Sequence, residues 1–227
     1  MSSSVAKMAT GRRSKSRGGR PTKSSAAERD RRLVDVATAL FLERGFDATT
    51  IDAVAEAARV SKLTLYSQYR DKRGLFAAVL RQEIERWLAP LATAAEMPVT
   101  NRSGVSIEKS LVDLGRKLQA VSGEAGAWAV GRILAAQAGN FPELASLANE
   151  EGWLKATATT ARLFRRLATE GLLEATDAEI AAEAFLHIVL GHNMRCAMYG
   201  IPIDPKGQDK RLRLSIRMLL TGLLPKS

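Results

Sequence analysis

Residues 49–76 read TTIDAVAEAARVSKLTLYSQYRDKRGLF, and their spacing decides the fold. Ile51, Val54, Ala55 and Ala58 fall at i, i+3, i+4 and i+7, one face of a short helix. Thr49 or Thr50 is placed to cap it. Three residues after Ala58, Ser61 offers another cap. Leu65 and Tyr69, four apart, give the next helix an inner face. Asp71 then caps a longer helix carrying Leu75, Phe76, Val79, Leu80 and Ile84. Two short helices across the turn Ala58-Arg59-Val60 make a helix-turn-helix.

Upstream, Leu33, Val36, Ala37, Leu40 and Phe41 repeat the helical spacing, and Gly45 after Arg44 is a stop signal. Residues 29–73 are therefore expected to form a three-helix DNA-binding domain. Asn-Gly and Asp-Gly hairpin dipeptides are missing and period-two alternation is slight, so the fold class is all-α. Residues 74–227 read as a larger helical domain. Pro90 and the stretch 96–104 punctuate it, with helices at about 105–122, 124–138, 142–171, 177–199 and 207–223. The helix at 177–199 is apolar on two faces, Ile180, Ala184, Ile188 and Gly191 on one, Phe185, Val189 and Cys196 on the other. The last helix carries Leu212, Ile216, Leu219, Leu220 and Leu223. A helix apolar nearly all round needs cover on both sides, and one cover is expected to be a second subunit.

Charge is distributed unevenly. Residues 1–32 hold ten Lys and Arg against Glu28 and Asp30, a net +8 of the chain's formal +10. A basic arm on a nearly neutral body points to an anionic partner. Residues 1–28 are expected to be a disordered arm, being nearly devoid of large apolar side chains. Within it, RGGRPTK (17–23) suits a narrow minor groove through Arg17 and Arg20, with Lys23 beside them. A solubilising tail, or a true start at Met8 rather than Met1, is the competing reading. Cys196 is the single cysteine, which excludes an intramolecular disulfide and fits a reducing cytoplasm. No apolar run approaches the roughly 18 residues of a membrane span, and the basic N-terminus lacks the apolar core of a signal peptide.

With Ser61 as cap, Lys62, Leu63 and Thr64 are the first helical residues. Their free N–H groups and the positive dipole end suit a phosphate or a base edge. Tyr66 points away from the Leu65–Tyr69 face, and Gln68 by spacing reaches the DNA backbone. Lys72 and Arg73 begin the next helix beside the same surface. A solvated basic face is the alternative for the charges alone.

As a whole, the paired Thr, the VSK-TLY pattern and the basic-led K--LF helix resemble the DNA-binding domain of the TetR/AcrR regulators. The resemblance extends back through LVDVATALFLERGFDATT (33–50). It implies that Lys62, Thr64, Tyr66 and Lys72 face a double-stranded operator, with Thr50 at a phosphate. Arg59 stands where the family usually has glycine; if that position needs positive φ, arginine costs about 1 kcal/mol. Leu63 meets a thymine methyl or packs. The segments NFPELASLANEEG (140–152) and LATEGLLEATDAEIAAEAFLHIVLG (167–191) resemble the AefR-like C-terminal domain. That implies a small, lipophilic effector among the central helices and a homodimer through the last two. Candidate lining residues are Trp87, Leu91, Leu118, Trp128, Arg132, Phe141, Trp153, Phe164 and Met194, with core packing the competing role for each. Arg132 is the candidate anchor for a carboxylate or phenolate.

The resemblance implies a ligand-responsive repressor whose effector shifts the helix beginning near Asp71; it is expected to be cytoplasmic and without a cofactor. A sequence-neutral architectural DNA-binding protein is the alternative. An enzyme is not indicated. His187 and His192 diverge around the helix, His192 and Cys196 lack further metal ligands, and no HExxH, GxSxG or phosphate loop occurs.

Overall fold

The computed structural model describes residues 23–96, 104–123, 127–174 and 177–223, and these are helical with short connections. Arg17 and Arg20 lie outside the described residues. The first helix, α1 (Lys23–Ala48), begins six residues before the expected start at 29, so the last part of the expected arm is helical. Lys23 is its first residue. Gly45 breaks α1 at φ 78°, ψ 174°, a conformation open to glycine. Thr49 is fully buried and its hydroxyl is bonded to the carbonyls of Gly45 (2.7 Å) and Leu40 (3.2 Å). Capping of α2 (Ile51–Ala58) falls to Thr50, whose hydroxyl accepts from Ala53 N–H at 3.1 Å.

Helix α3 (Lys62–Tyr69) and the long α4 (Lys72–Glu96) complete the first unit. Leu33, Ala37, Phe41, Phe46, Val54, Leu65 and Phe76 fill its core. Phe41, Phe46 and Phe76 form an aromatic triangle, with centroids 5.0 to 5.8 Å apart.

Pro90 was expected to interrupt α4, yet the helix runs through it. Proline removes one backbone bond, and packing holds the remainder. Trp87, Leu88, Leu91 and Ala94 lie on the second core. Arg166 then donates to the Ala94 and Ala95 carbonyls at 3.3 and 2.6 Å, covering acceptors left open at the helix end.

The second unit comprises α5 (Gly104–Gly123), α6 (Ala127–Gln137), α7 (Pro142–Leu147), α8 (Lys155–Thr169), α9 (Ala178–Tyr199) and α10 (Pro205–Leu223). The expected single helix at 142–171 is instead α7 and α8 joined by a π-wound turn, Ala148–Leu154. Leu111, Leu118, Phe164, Phe185, Val189, Leu212 and Ile216 form the second core. Of the two expected faces of α9, Phe185, Val189 and Cys196 are buried; on the other, Ile180 is 66% exposed, whereas Ala184, Ile188 and Gly191 are half-buried. Met198 and Tyr199 near the helix end are also uncovered. Leu214 and Met218 on α10 are also exposed. The two cores are bridged by α4, which carries Phe76 in the first and Leu91 in the second.

Candidate nucleic-acid interface and ligand cavity

Ser61 sits in extended backbone before α3, and its hydroxyl accepts from Thr64 N–H at 3.1 Å. The Ser61 and Thr64 hydroxyls also bond to each other at 2.7 Å. That satisfies one free donor of the helix start and fixes two polar groups on its outer edge. Leu65 is fully buried and anchors α3. Leu63 (80% exposed), Tyr66, Lys62, Ser67 and Arg70 face outward together. Two large apolar side chains without cover on an eight-residue helix are unusual for a merely solvated face.

The turn before α3 places Arg59 at φ 56°, ψ 42°, the left-handed region that the expected glycine position required. Arg59 N–H closes α2 on the carbonyls of Ala55 and Glu56. The turn after α3 is tighter. Arg70 has φ 64°, ψ −56°, and Asp71 N–H bonds to the Tyr69 carbonyl at 2.7 Å, a positive-φ γ-turn. This turn presses the Tyr69 carbonyl onto α4, where a Cβ at Gly74 would stand 2.0 Å from it. Only glycine fits there. The Asp71 carboxylate accepts from Gly74 N–H at 2.8 Å as the α4 cap, and that bond holds its pKa below the ordinary value.

Several expected contact residues already have partners within the chain. Lys62 Nζ lies 2.5 Å from Asp52 Oδ2, and the bond and charge of that carboxylate raise its pKa. Lys72 is turned inward. Its ammonium donates to the carbonyls of Phe46 (2.9 Å) and Asp47 (3.1 Å) and lies 4.6 Å over the Phe46 ring. The Gln68 amide, expected to reach outward, donates instead to Asp30, as does the Tyr69 hydroxyl. Spacing alone does not reveal these roles, because each partner lies at least ten residues away in sequence.

Between α4, α6, the π-wound turn and α9 lies a cavity of about 240 Å³. Of the nine expected lining residues, Trp87, Trp128, Trp153 and Met194 line it. Leu91, Leu118 and Phe164 do not; they are packed in the second core, Phe164 edge-on to Phe185. Phe141 belongs to the first core, 5.3 Å from Phe46. Arg132 is exposed and donates to the Ala197 carbonyl at 2.9 Å, so it is no anchor in the cavity. Residues that the sequence reading missed include Glu83, Ile84, Gly131, Gly152, His187 and Gly191. Glycines inside helices were the available signal for Gly131 and Gly191. Trp87 and Trp153 are near parallel, 6.3 Å apart, and His187 meets Trp153 edge-on at 4.8 Å. Trp128 Nε1 is buried with no hydrogen-bond partner.

Cys196 is buried with its sulfur 3.7 Å from His192 Nε2. Among the described residues no group of three His, Cys, Asp or Glu gathers to hold a metal, and no helix is long and apolar enough to cross a membrane.

Comparison with known proteins agrees with this geometry. Residues 33–79 match the model of bacterial regulatory proteins of the tetR family. Residues 109–222 match the AefR-like transcriptional repressor C-terminal domain. The regulator RutR of Escherichia coli K12 is 39% identical over 64 residues, 28% of this chain and 30% of that protein. The chain thus aligns with less than a third of that relative's length. Two solved structures extend the likeness. A TetR-family regulator from Mesorhizobium loti is 26% identical with a TM-score of 0.78, over 90% of this chain and 100% of that one. The flavonoid-responsive regulator FrrA is 28% identical with a TM-score of 0.69, over 88% and 100%. The chain belongs to the TetR family of helix-turn-helix transcriptional regulators, which are not enzymes, and carries an AefR-like C-terminal domain.

Proposed function

We propose that the protein is a homodimeric repressor that binds a palindromic operator and is released by a small, lipophilic effector. The observation that carries this reading is the span of α4. Its first residue, Lys72, is bonded to the end of α1 in the DNA-binding unit, and Trp87 on the same helix lines the cavity. A ligand in the cavity therefore touches the element that sets the position of α3. It acts to the extent that it binds the released arrangement more tightly. A sequence-neutral architectural protein has no need of such a cavity.

In this reading Lys62, Leu63 and Thr64 meet base edges and Tyr66 meets the sugar-phosphate backbone. Thr50 and Ser61 offer helix starts to phosphates. Arg17, Arg20 and Lys23 supply the minor-groove arm. Lys62 also contacts a phosphate, exchanging the Asp52 carboxylate for it. Lys72 keeps one of its three N–H donors for a phosphate, and Gln68 contributes only after leaving Asp30. The uncovered Ile180, Met198, Leu214 and Met218 of α9 and α10 meet their copies in the dimer. The AefR-like repressor domain match supports repression, and in this reading the protein acts in the cytoplasm.

Selection from random DNA by the full chain tests the reading. It should enrich one palindrome whose half-sites are about 34–36 Å apart, or a multiple of that spacing. Enrichment of no common sequence would favour the architectural alternative.

A further inference from the structure

We infer that the cavity takes a flat, uncharged, fused-ring aromatic molecule bearing a hydroxyl or N–H donor, received by His187. This rests on the effector-responsive reading above and names the ligand chemistry of that site.

Size sets the first limit. A cavity of about 150 Å³ holds benzene, and about 240 Å³ leaves room for a second fused ring. Shape sets the next. Trp87 and Trp153 present near-parallel ring faces, 13° apart, and Trp128 adds a third indole to the wall. Such rings favour offset or edge-on aromatic partners over an acyl chain of the same area.

Two glycines leave room for a flat molecule. Gly131 lies within α6 and Gly191 within α9, where alanine is the better helix former. A Cβ built on either meets nothing within 4 Å. No close packing demands glycine at these positions. The bare backbone lets a planar ligand lie close to it.

Charge excludes anions. Among the described lining residues there is no lysine or arginine. The charged group present is the Glu83 carboxylate, 3.0 Å from Arg86. A buried carboxylate or phosphate on the ligand would meet no cation there, at a large desolvation cost.

His187, an exposed residue at the cavity rim, supplies the polar anchor. Its Nδ1 lies 2.9 Å from the Glu183 carbonyl. A carbonyl only accepts, so Nδ1 donates to it, and in that tautomer Nε2 is an acceptor. Nε2 has no partner among the described residues, and it takes the ligand's donor.

Calorimetric titration of the full chain with 2-naphthol, naphthalene, 2-naphthoate and 1-decanol tests the inference. 2-Naphthol should bind at least tenfold tighter than 2-naphthoate and 1-decanol. His187→Phe keeps a ring against Trp153 and should weaken 2-naphthol about fivefold, with naphthalene unchanged. Gly131→Ala and Gly191→Ala should fold and bind DNA as the wild type does, yet lose tenfold or more in 2-naphthol affinity. Equal binding of 1-decanol or 2-naphthoate, no binding of any probe, or unchanged affinity in both glycine variants would overturn the inference. Should 1-decanol bind and release DNA instead, the aromatic class fails and the effector-responsive reading stands. Should 2-naphthol bind as described without changing DNA affinity, the ligand class stands and that reading fails.

Discussion

The Lys72 ammonium donates to the Phe46 carbonyl at 2.9 Å and stands 4.6 Å above the ring of the same residue. One side chain thus ties the start of α4 to the end of α1, just past the break at Gly45. Two charge-assisted bonds to carbonyls and one ring contact make this a structural tie first. Lys72→Ala should destabilise the chain by about 1–2 kcal/mol, or roughly 3–6 °C in Tm. Its loss of DNA affinity should be alike for all sequences. Thermal unfolding and a salt titration separate the two roles: unchanged Tm with weaker DNA binding would assign Lys72 to phosphate alone.

Lys62 and Asp52 are both more than half exposed, so their ion pair adds little to stability. Its consequence lies in binding. The carboxylate competes with phosphate for the same ammonium and places a negative charge beside the proposed DNA surface. Asp52→Asn should tighten binding to every sequence, most at low salt, with Tm nearly unchanged. The salt dependence should steepen by about one phosphate equivalent. An unaltered slope in titrations at several salt concentrations would remove Lys62 from the phosphate contacts.

Caps and turns were legible because their signals are local. Thr50, Ser61 and Asp71 each bond to an N–H three residues on, and Arg59 falls at positive φ where a glycine position was expected. The neighbouring turn was not legible, since nothing about arginine announces the positive φ of Arg70. Helical spacing identifies an apolar face without naming the core it joins. Phe141 therefore looked like a cavity residue, although α7 carries it onto Phe46 in the first core. The π-wound turn escaped notice because one extra residue per turn leaves the apolar content unchanged. It rotates Trp153 toward the cavity and sets Gly152 against Ile84 on α4.

Tyr69 links α3 to α1 through its hydroxyl bond to Asp30. Burial first, then that bond, raises its ionisation well above the ordinary tyrosine value. The folded chain therefore holds the phenolic proton more tightly than the unfolded chain does. The associated stability is complete below about pH 10, the unfolded value, and is lost as pH rises toward the folded value. Tyr69→Phe should be less stable at neutral pH, yet its Tm should fall less between about pH 9 and 11. Melting curves of the two proteins that stay parallel through that range would refute the assignment.

Arg81 on α4 donates to Glu151 in the π-wound turn at 3.2 Å, and Arg73 lies 3.7 Å from Glu143 on α7. The π-wound turn that carries Glu151 also contributes Gly152 and Trp153 to the cavity. A ligand that displaces Trp153 therefore moves an element held to α4 by charge. If this contact carries the signal, Glu151→Gln should leave DNA affinity without ligand, and 2-naphthol affinity without DNA, near wild type. The factor by which each weakens the other should shrink about two- to fivefold, as suits an exposed pair. Linkage requires the two factors to shrink equally. Arg81→Ala should do the same, and the double variant should add nothing further, since both remove one contact. DNA binding with and without 2-naphthol, and the converse titration, measure both factors. Coupling equal to wild type in all three variants would show that the signal reaches α4 elsewhere, most directly through Trp87.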